Sequence, residues 1–463
     1  MPRFRNRNYV LSEEEITQLL NADSSDEEGL LEIDEEDLDF FQTELQDNND
    51  HQHIVEIVDA HVPEPCEARQ DFAIKNLKWS KKFPPVTEVV DTPPNNFDWG
   101  KLNLEYNEMP TPLEVFKDVC SFDKLLTNII VPQSIKYMQQ KGNVFTTNKD
   151  EISAFIGVSV MMTYHVLPEI RDYFSNEPDL RVNMIADTMI RDRFYLIRRA
   201  LHFSGNNQAP NKENYNYDRA WKIRPLIDHF NIAFQNAKNA TYEQTIDERM
   251  TKFKGQNSMK QYMKDKPIQR GFKHWCRNDA KSGYLFEFDI YVGKKTNKTE
   301  VGLSESVVMQ LMKSMYNSSC RLNIHNFYTS PALVYKLMND HKIYACGTVR
   351  SNRRGLPKDL LSEKQMKKGD IDARYCKGMS LVKWLDTKPV MMLSTIDSGA
   401  PTNSVNKTRR QKGQEGRVNV KVPAMVQRYN MFMRGTDLMD QNTSVYAYDR
   451  KSPGKFYCRP FWD

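Results

Sequence analysis

Between residues 241 and 351 the hydrophobic period of this chain changes in an order that commits it to a mixed sheet. "YEQTIDERMTKF" reads as a strand centred on Thr245-Ile246. "GFKHWCRNDAKSGYLFEFDIYVGK" reads as two strands joined by a tight turn at Lys281-Ser282-Gly283. "LSESVVMQLMKSMYN" follows as an amphipathic helix, with Val307, Val308, Leu311, Met312 and Met315 on one side. A strand at 321–324, the helix "SPALVYKLMND" and the strand "IYACGTV" complete the run. Ser330 can cap that helix, and Pro331 at its first position gives up a hydrogen bond that would be unmade anyway. Three antiparallel-type strands are therefore followed by helix, strand, helix, strand.

A mixed sheet wound in that order is the core of the ribonuclease-H-like fold, although other α/β folds share portions of it. The flanking segments differ. Residues 110–240 predict an all-α domain, with a nearly buried helix in "KDEISAFIGVSVMMTYHV". In "DTMIRDRFYLIRRALHF" the pattern predicts an Asp187 cap and burial of Met189, Ile190, Phe194, Ile197 and Leu201, leaving Arg191, Arg198 and Arg199 largely outside. Pro225 forces a break or kink in the next helical segment. Residues 352–423 are polar and basic with little sustained periodicity, and predict an insertion with long loops that interrupts the core 241–351. Residues 424–463 return to a helical pattern opening near Thr436, with Asp437 and Asp440 one turn apart.

Residues 1–95 predict a disordered acidic head, closed by the prolines of "KFPPVTEVVDTPPNNFDWG". Residues 8–50 hold 16 acidic and no basic side chains, so the net charge of +4 conceals a body of roughly +17. An acidic head on a basic body points to a polyanion partner, with nucleic acid the first candidate. No apolar run approaches the roughly 18 residues of a membrane helix. The first residues lack the apolar stretch of a secretory signal. Seven cysteines without a CxxC pair argue against a structural zinc site and fit a reducing compartment.

Three positions converge if the sheet assembles in this order. Asp247 lies on the first strand, position 325 follows the fourth, and Asp437 starts a helix after the insertion. Ribonuclease-H-like enzymes place acids at such points to hold two divalent metals on one phosphodiester. Magnesium asks for hard oxygen ligands, hence carboxylates. "ID" and "TD" pairs in isolation carry no such meaning.

The same residues resemble a family. "TIDERMTKFKGQNSMKQYMKDKPIQRGFKHWCRNDAKSGYLFEFDIYVGK" closely resembles the piggyBac transposases and their domesticated relatives, and so do "NFYTSPALVYKLMNDHKIYACGTVRSNRRGLP" and "YNMFMRGTDLMDQ". "PTPLEVF", "EISAFIGVSVMM", "PEIRDYF" and "RDRFYLIRRALHF" resemble the helical domain that precedes these blocks, so the resemblance spans about residues 110–463. It implies a nuclear, cut-and-paste DNA transposase architecture, a dimer, double-stranded transposon-end DNA as partner, and Mg²⁺ or Mn²⁺ if the site is active. It maps the metal-binding aspartates onto Asp247, position 325 and Asp437, with Asp440 supporting.

Two departures qualify that expectation. The block that usually begins Asp-Asn reads "HNFYTS", so His325 replaces the second acid. A neutral imidazole favours Mn²⁺ or Zn²⁺ over Mg²⁺ and offsets no charge. Asp279, Asp289 and Asp340 are conceivable substitutes. The chain also ends at "YCRPFWD", before the family's remaining core helices and cysteine-rich zinc module. The expectation is a DNA-binding protein with a degenerate three-acid site, unable to transpose. The rival readings are a residual metal-dependent endonuclease and a transposon remnant without a settled role. Lys260, Lys264, Lys266, Arg270 and Lys273, with Arg350, Arg353 and Arg354 after a core strand, are the expected DNA-facing cations. "KTRRQK", 407–412, is a further basic patch, for nuclear import or backbone contact.

Overall fold

The computed structural model describes residues 77–84, 93–94, 97–211, 217–264, 266–293, 302–410, 417–446, 448 and 455–462. The acidic head, residues 8–50, lies outside the described residues. Apart from Lys455, the described residues fall in one unit spanning 61–450 and 456–463.

Five longer helices come first among the described residues: α1 (Pro112–Val119), α2 (Val131–Gln140), α3 (Lys149–Tyr164), α4 (Arg191–Ala200) and α5 (Arg224–Ala237). Asn148 caps α3 by accepting from the Glu151 amide, and the helix buries Ile152, Phe155, Ile156 and Met162. Two expectations for α4 need correction. Asp187 is not its cap but pairs with Arg181 at 2.9 Å. Ile190, the extended residue before the helix, is 71% exposed. The helix thus starts one turn later than the apolar period suggests. Pro225 stands in the first turn of α5, where its missing N–H costs nothing.

The strands are β1 (Glu243–Lys252), β2 (Lys260–Tyr262), β3 (Arg270–Asp279) and β4 (Leu285–Ile290). After α6 (Leu303–Leu311) come β5 (Arg321–Ile324), α7 (Pro331–His341) and β6 (Tyr344–Thr348). β4 pairs antiparallel with β3, and β3 antiparallel with β1; β1, β5 and β6 run parallel. That order and those directions agree with a ribonuclease-H-like mixed sheet. Val307, Val308, Leu311, Met312 and Met315 are all buried, packing α6 and the turn after it into the same core as α7.

Residues 352–423 are not the long loops expected of them. β7 (Ile371–Cys376), β8 (Met379–Leu385) and β9 (Pro389–Ser394) form an antiparallel meander, and β9 pairs with β6, so the main sheet simply continues. A tight turn with Lys377 and Gly378 at positive φ joins β7 to β8. β10 (Ser404–Arg410) and β11 (Arg417–Pro423) make a separate hairpin, whose backbone carries most of the 407–412 basic patch. Residues 77–84, inside the stretch expected to be disordered, lie along this extension. Ser80 exchanges backbone hydrogen bonds with Tyr375, while Leu77, Trp79 and Phe83 pack on the core.

The chain then forms α8 (Ala424–Phe432) and α9 (Gly435–Ser444) against the sheet, and α10 (Cys458–Trp462). α10 and Tyr457 join the helical core: Trp462 meets Phe155, Phe461 meets Phe203, and Tyr457 donates to or accepts from His202 at 2.8 Å. No helix among the described residues is long and apolar enough to cross a membrane.

Candidate metal and phosphodiester site

Parallel register explains why residues far apart in sequence meet. Ile246 on β1 is paired with Ile324 on β5, so the residues that follow, Asp247 and His325, sit side by side where the shared ladder ends. This is the carboxyl rim of the parallel strands, where open α/β sheets place their ligands. Beyond Ile246, β1 keeps only β3 as a partner, and Asp247 lies opposite Cys276. The next residue, Glu248, joins the group: one donor atom each from Asp247, Glu248 and His325 lie within 4.8 Å of one another. It is the one such group of metal-ligating side chains among the described residues.

The loop that carries His325 is held by its own backbone. The His325 carbonyl accepts from the amides of Tyr328 and Thr329 and from the Thr329 hydroxyl, at 3.0 to 3.2 Å. Arg353 donates to the carbonyls of Asn326 and Phe327. Arg350 reaches Asn326 Oδ1 at 3.4 Å. Arg353 is thus tied into the loop rather than displayed, whereas Arg350 and Arg354 are exposed.

Charge is crowded here. Asp247 has its pKa pushed up to about 8, first by burial and then by the hydrogen bond and charge of Glu248, with Lys266 opposing. Burial would raise Glu248 as well, but Lys273, Asp247 and Lys266 together lower it. The two carboxyls therefore titrate as a pair, with Asp247 raised and Glu248 lowered. His325 keeps an exposed edge, yet the water lost on its protein side lowers its pKa; Lys266 and Arg350 add to this, against Glu248 and Asp437. A neutral imidazole with a lone pair available is the result. Lys273 Nζ stands 3.3 Å from Glu248 Oε1 and over the Phe327 ring, and Lys266 Nζ donates to the Glu248 carbonyl at 2.8 Å.

Asp437 is exposed in the first turn of α9 and stands outside the 4.8 Å group, though its charge acts on His325 and on Tyr429. Asp440 pairs with Arg249 of β1 at 2.8 Å and so ties α9 to the strand that bears Asp247. None of the three conceivable substitutes joins the group. Asp279 is paired with Gln244 at the far end of β1 and held by Ser282 and Thr241. Asp289 is taken by Arg224 at 2.7 Å. Asp340 lies exposed near the end of α7. Of the remaining cations, Lys264 and Arg270 are exposed and Lys260 is half-buried. No disulfide joins the six described cysteines.

Close backbone packing puts α9 in place. A Cβ on Gly435 would stand 2.6 Å from both the Asp279 carbonyl and Thr245 Oγ1, and one on Gly283, at φ +75, would stand 2.9 Å from the Gly435 carbonyl. Gly435→Ala is therefore expected to destabilise the fold by about 1–3 kcal/mol through overpacking. Thermal melting should show it, and an unchanged midpoint would mean that α9 can lift off the sheet at little cost.

Residues 111–463 match the model of a family described as transposase IS4. The chain is 30% identical over 415 residues to PiggyBac transposable element-derived protein 3 of Homo sapiens, covering 86% of this chain and 66% of that protein. It is 28% identical over 400 residues to PiggyBac transposable element-derived protein 2 of Homo sapiens, covering 83% and 64%. It thus spans just under two thirds of these relatives' own length. A piggyBac transposase solved in a synaptic complex with hairpin DNA is similar with a TM-score of 0.64 and 25% identity, over 77% of this chain and 72% of that one.

Proposed function

This chain belongs to the piggyBac transposase family, and from that premise we propose that it is a nuclear, transposase-derived protein that binds double-stranded DNA of the transposon-end type. Its catalytic site is altered too far to transpose. The observation that carries this reading is His325: an uncharged imidazole stands beside Asp247 where a second acid would serve a pair of ions.

Two carboxylates and one imidazole within 4.8 Å suit one divalent cation, Mg²⁺ or Mn²⁺, and the imidazole tilts the preference towards Mn²⁺. Such an ion would polarise a phosphodiester oxygen as a Lewis acid. The protein's own residues do the rest. Lys273 orients Glu248, Arg353 braces the loop bearing His325, and the Arg249–Asp440 pair brings Asp437 to the rim of the site. A pair of dications needs more negative charge than this group holds, because Lys273 already pairs with Glu248 and the charge of Lys266 acts on both carboxyls.

The exposed cations Lys264, Arg270, Arg350 and Arg354 support backbone contact without base reading. The test is duplex binding by the full chain as a function of salt. Log affinity is expected to fall linearly with log salt, with a slope of about −0.9 for each phosphate neutralised. Binding that ignores salt would reject the reading. A second reading, residual metal-dependent cleavage at one ion, is favoured by the closeness of the three donors.

A further inference from the structure

Lys266 is placed unlike the other basic residues near the site. Lys273 is committed to Glu248 at 3.3 Å and to the Phe327 ring. Arg353 is committed to two loop carbonyls. Lys264, Arg270 and Arg354 are exposed. Lys266 is half-buried, and its ammonium donates at 2.8 Å to the carbonyl of Glu248, itself one of the three grouped donors. An ammonium has three N–H donors, and a single backbone acceptor leaves capacity for an anion. Its charge also acts on Asp247, Glu248 and His325.

Tyr328 is packed against the same group. Burial and the Glu248 carboxylate beside it keep its hydroxyl protonated.

We propose that Lys266 is the phosphate-recognition residue of the Asp247–Glu248–His325 site, its ammonium bracketing one DNA phosphodiester together with a single divalent ion. It takes the electrostatic place that a second ion would occupy beside a carboxylate at 325. The inference rests on the reading that this site meets DNA. Because the same positive charge repels a cation at the three donors, Lys266 has opposite effects on the two ligands.

The experiment compares wild type, Lys266→Met and Lys266→Arg as full chains. Mn²⁺ alone is titrated calorimetrically, and a labelled DNA duplex is then titrated in Mn²⁺ at several salt concentrations. Lys266→Met is expected to bind Mn²⁺ on the order of tenfold more tightly. It should bind duplex about tenfold more weakly, with the salt slope reduced by about 0.9. Lys266→Arg should keep the wild-type slope. An unchanged slope in Lys266→Met, with wild-type binding intact, overturns this inference alone. Absence of salt-dependent duplex binding by wild type overturns the proposed function and this inference with it. A circular-dichroism melt showing Lys266→Met folded, with both affinities lowered, would assign Lys266 a structural role and also overturn it.

Discussion

His325→Asp is expected to cut supercoiled plasmid in Mg²⁺ about 10³-fold faster than wild type, if a charged second acid restores about 4 kcal/mol of transition-state stabilisation. The register of β1 and β5 makes this expectation specific. With Ile246 opposite Ile324, a carboxylate at 325 arrives beside Asp247 without any rearrangement of the sheet. It would bring two oxygens and a negative charge where the imidazole brings one lone pair and none. Mg²⁺, which prefers oxygen and tolerates nitrogen poorly, gains most from the exchange. Mn²⁺ should gain less, so the ratio of Mg²⁺- to Mn²⁺-supported nicking is expected to rise in the variant. Asp247→Ala in the His325→Asp background should return the rate to the uncatalysed level. Nicking by wild type at the variant's rate, abolished by Asp247→Ala, would instead establish the cleavage reading and reject the degenerate one.

The site was legible in the sequence where a strand's period was clean, and hidden where charge was folded inward. β1, β5, β6 and both flanking helices follow from alternation and from the Ser330-Pro331 cap. Their pairing delivers Asp247 and His325 to one place. Glu248 was missed although "DE" is plain to read. Pleating sends successive side chains to opposite faces, so adjacent acids on a strand suggest only one ligand. Here β1 has lost its β5 neighbour beyond Ile246, and both carboxylates serve the same group.

The strands of 371–394 were hidden for a related reason. Arg374 is fully buried, paired with Asp372 and with Asp359 at 3.0 Å, so a polar residue occupies an inward position and breaks the alternation. The lysines of "KQYMKDKPIQRGFK" were legible as cations but not as partners. Sequence spacing could not separate Lys266 and Lys273, drawn to Glu248, from Lys264 and Arg270, which stay exposed.

Asp247→Asn is expected to make the metal-free protein more stable than wild type at pH 8 by about 2–4 kcal/mol, with about a quarter of that difference already present at pH 5. An unfolded aspartate titrates near pH 4, whereas Asp247 in the fold titrates at about 8. Between those values the folded chain holds a proton that the unfolded chain has shed, so wild-type stability falls as pH rises through this window and levels above it. The depressed pKa of Glu248 acts in the opposite sense and below that window. Its contribution is present above its unfolded value and lost only as pH falls through its lower folded one. The full displacement of Asp247 would amount to about 5–6 kcal/mol for an isolated group, and titrating as a pair with Glu248 reduces it. An amide mimics the protonated acid, cannot shed its proton, and so removes the slope. Denaturant titrations in EDTA across pH 5–8 measure both proteins, and subtracting the two curves cancels the shared groups other than Glu248, whose titration is tied to Asp247. A difference that stays flat across this range would show that the proton rests elsewhere than Asp247. A slope that Mn²⁺ abolishes in wild type, and that the Asp247→Asn variant never has, would show that the ion and the proton compete for the same carboxylate.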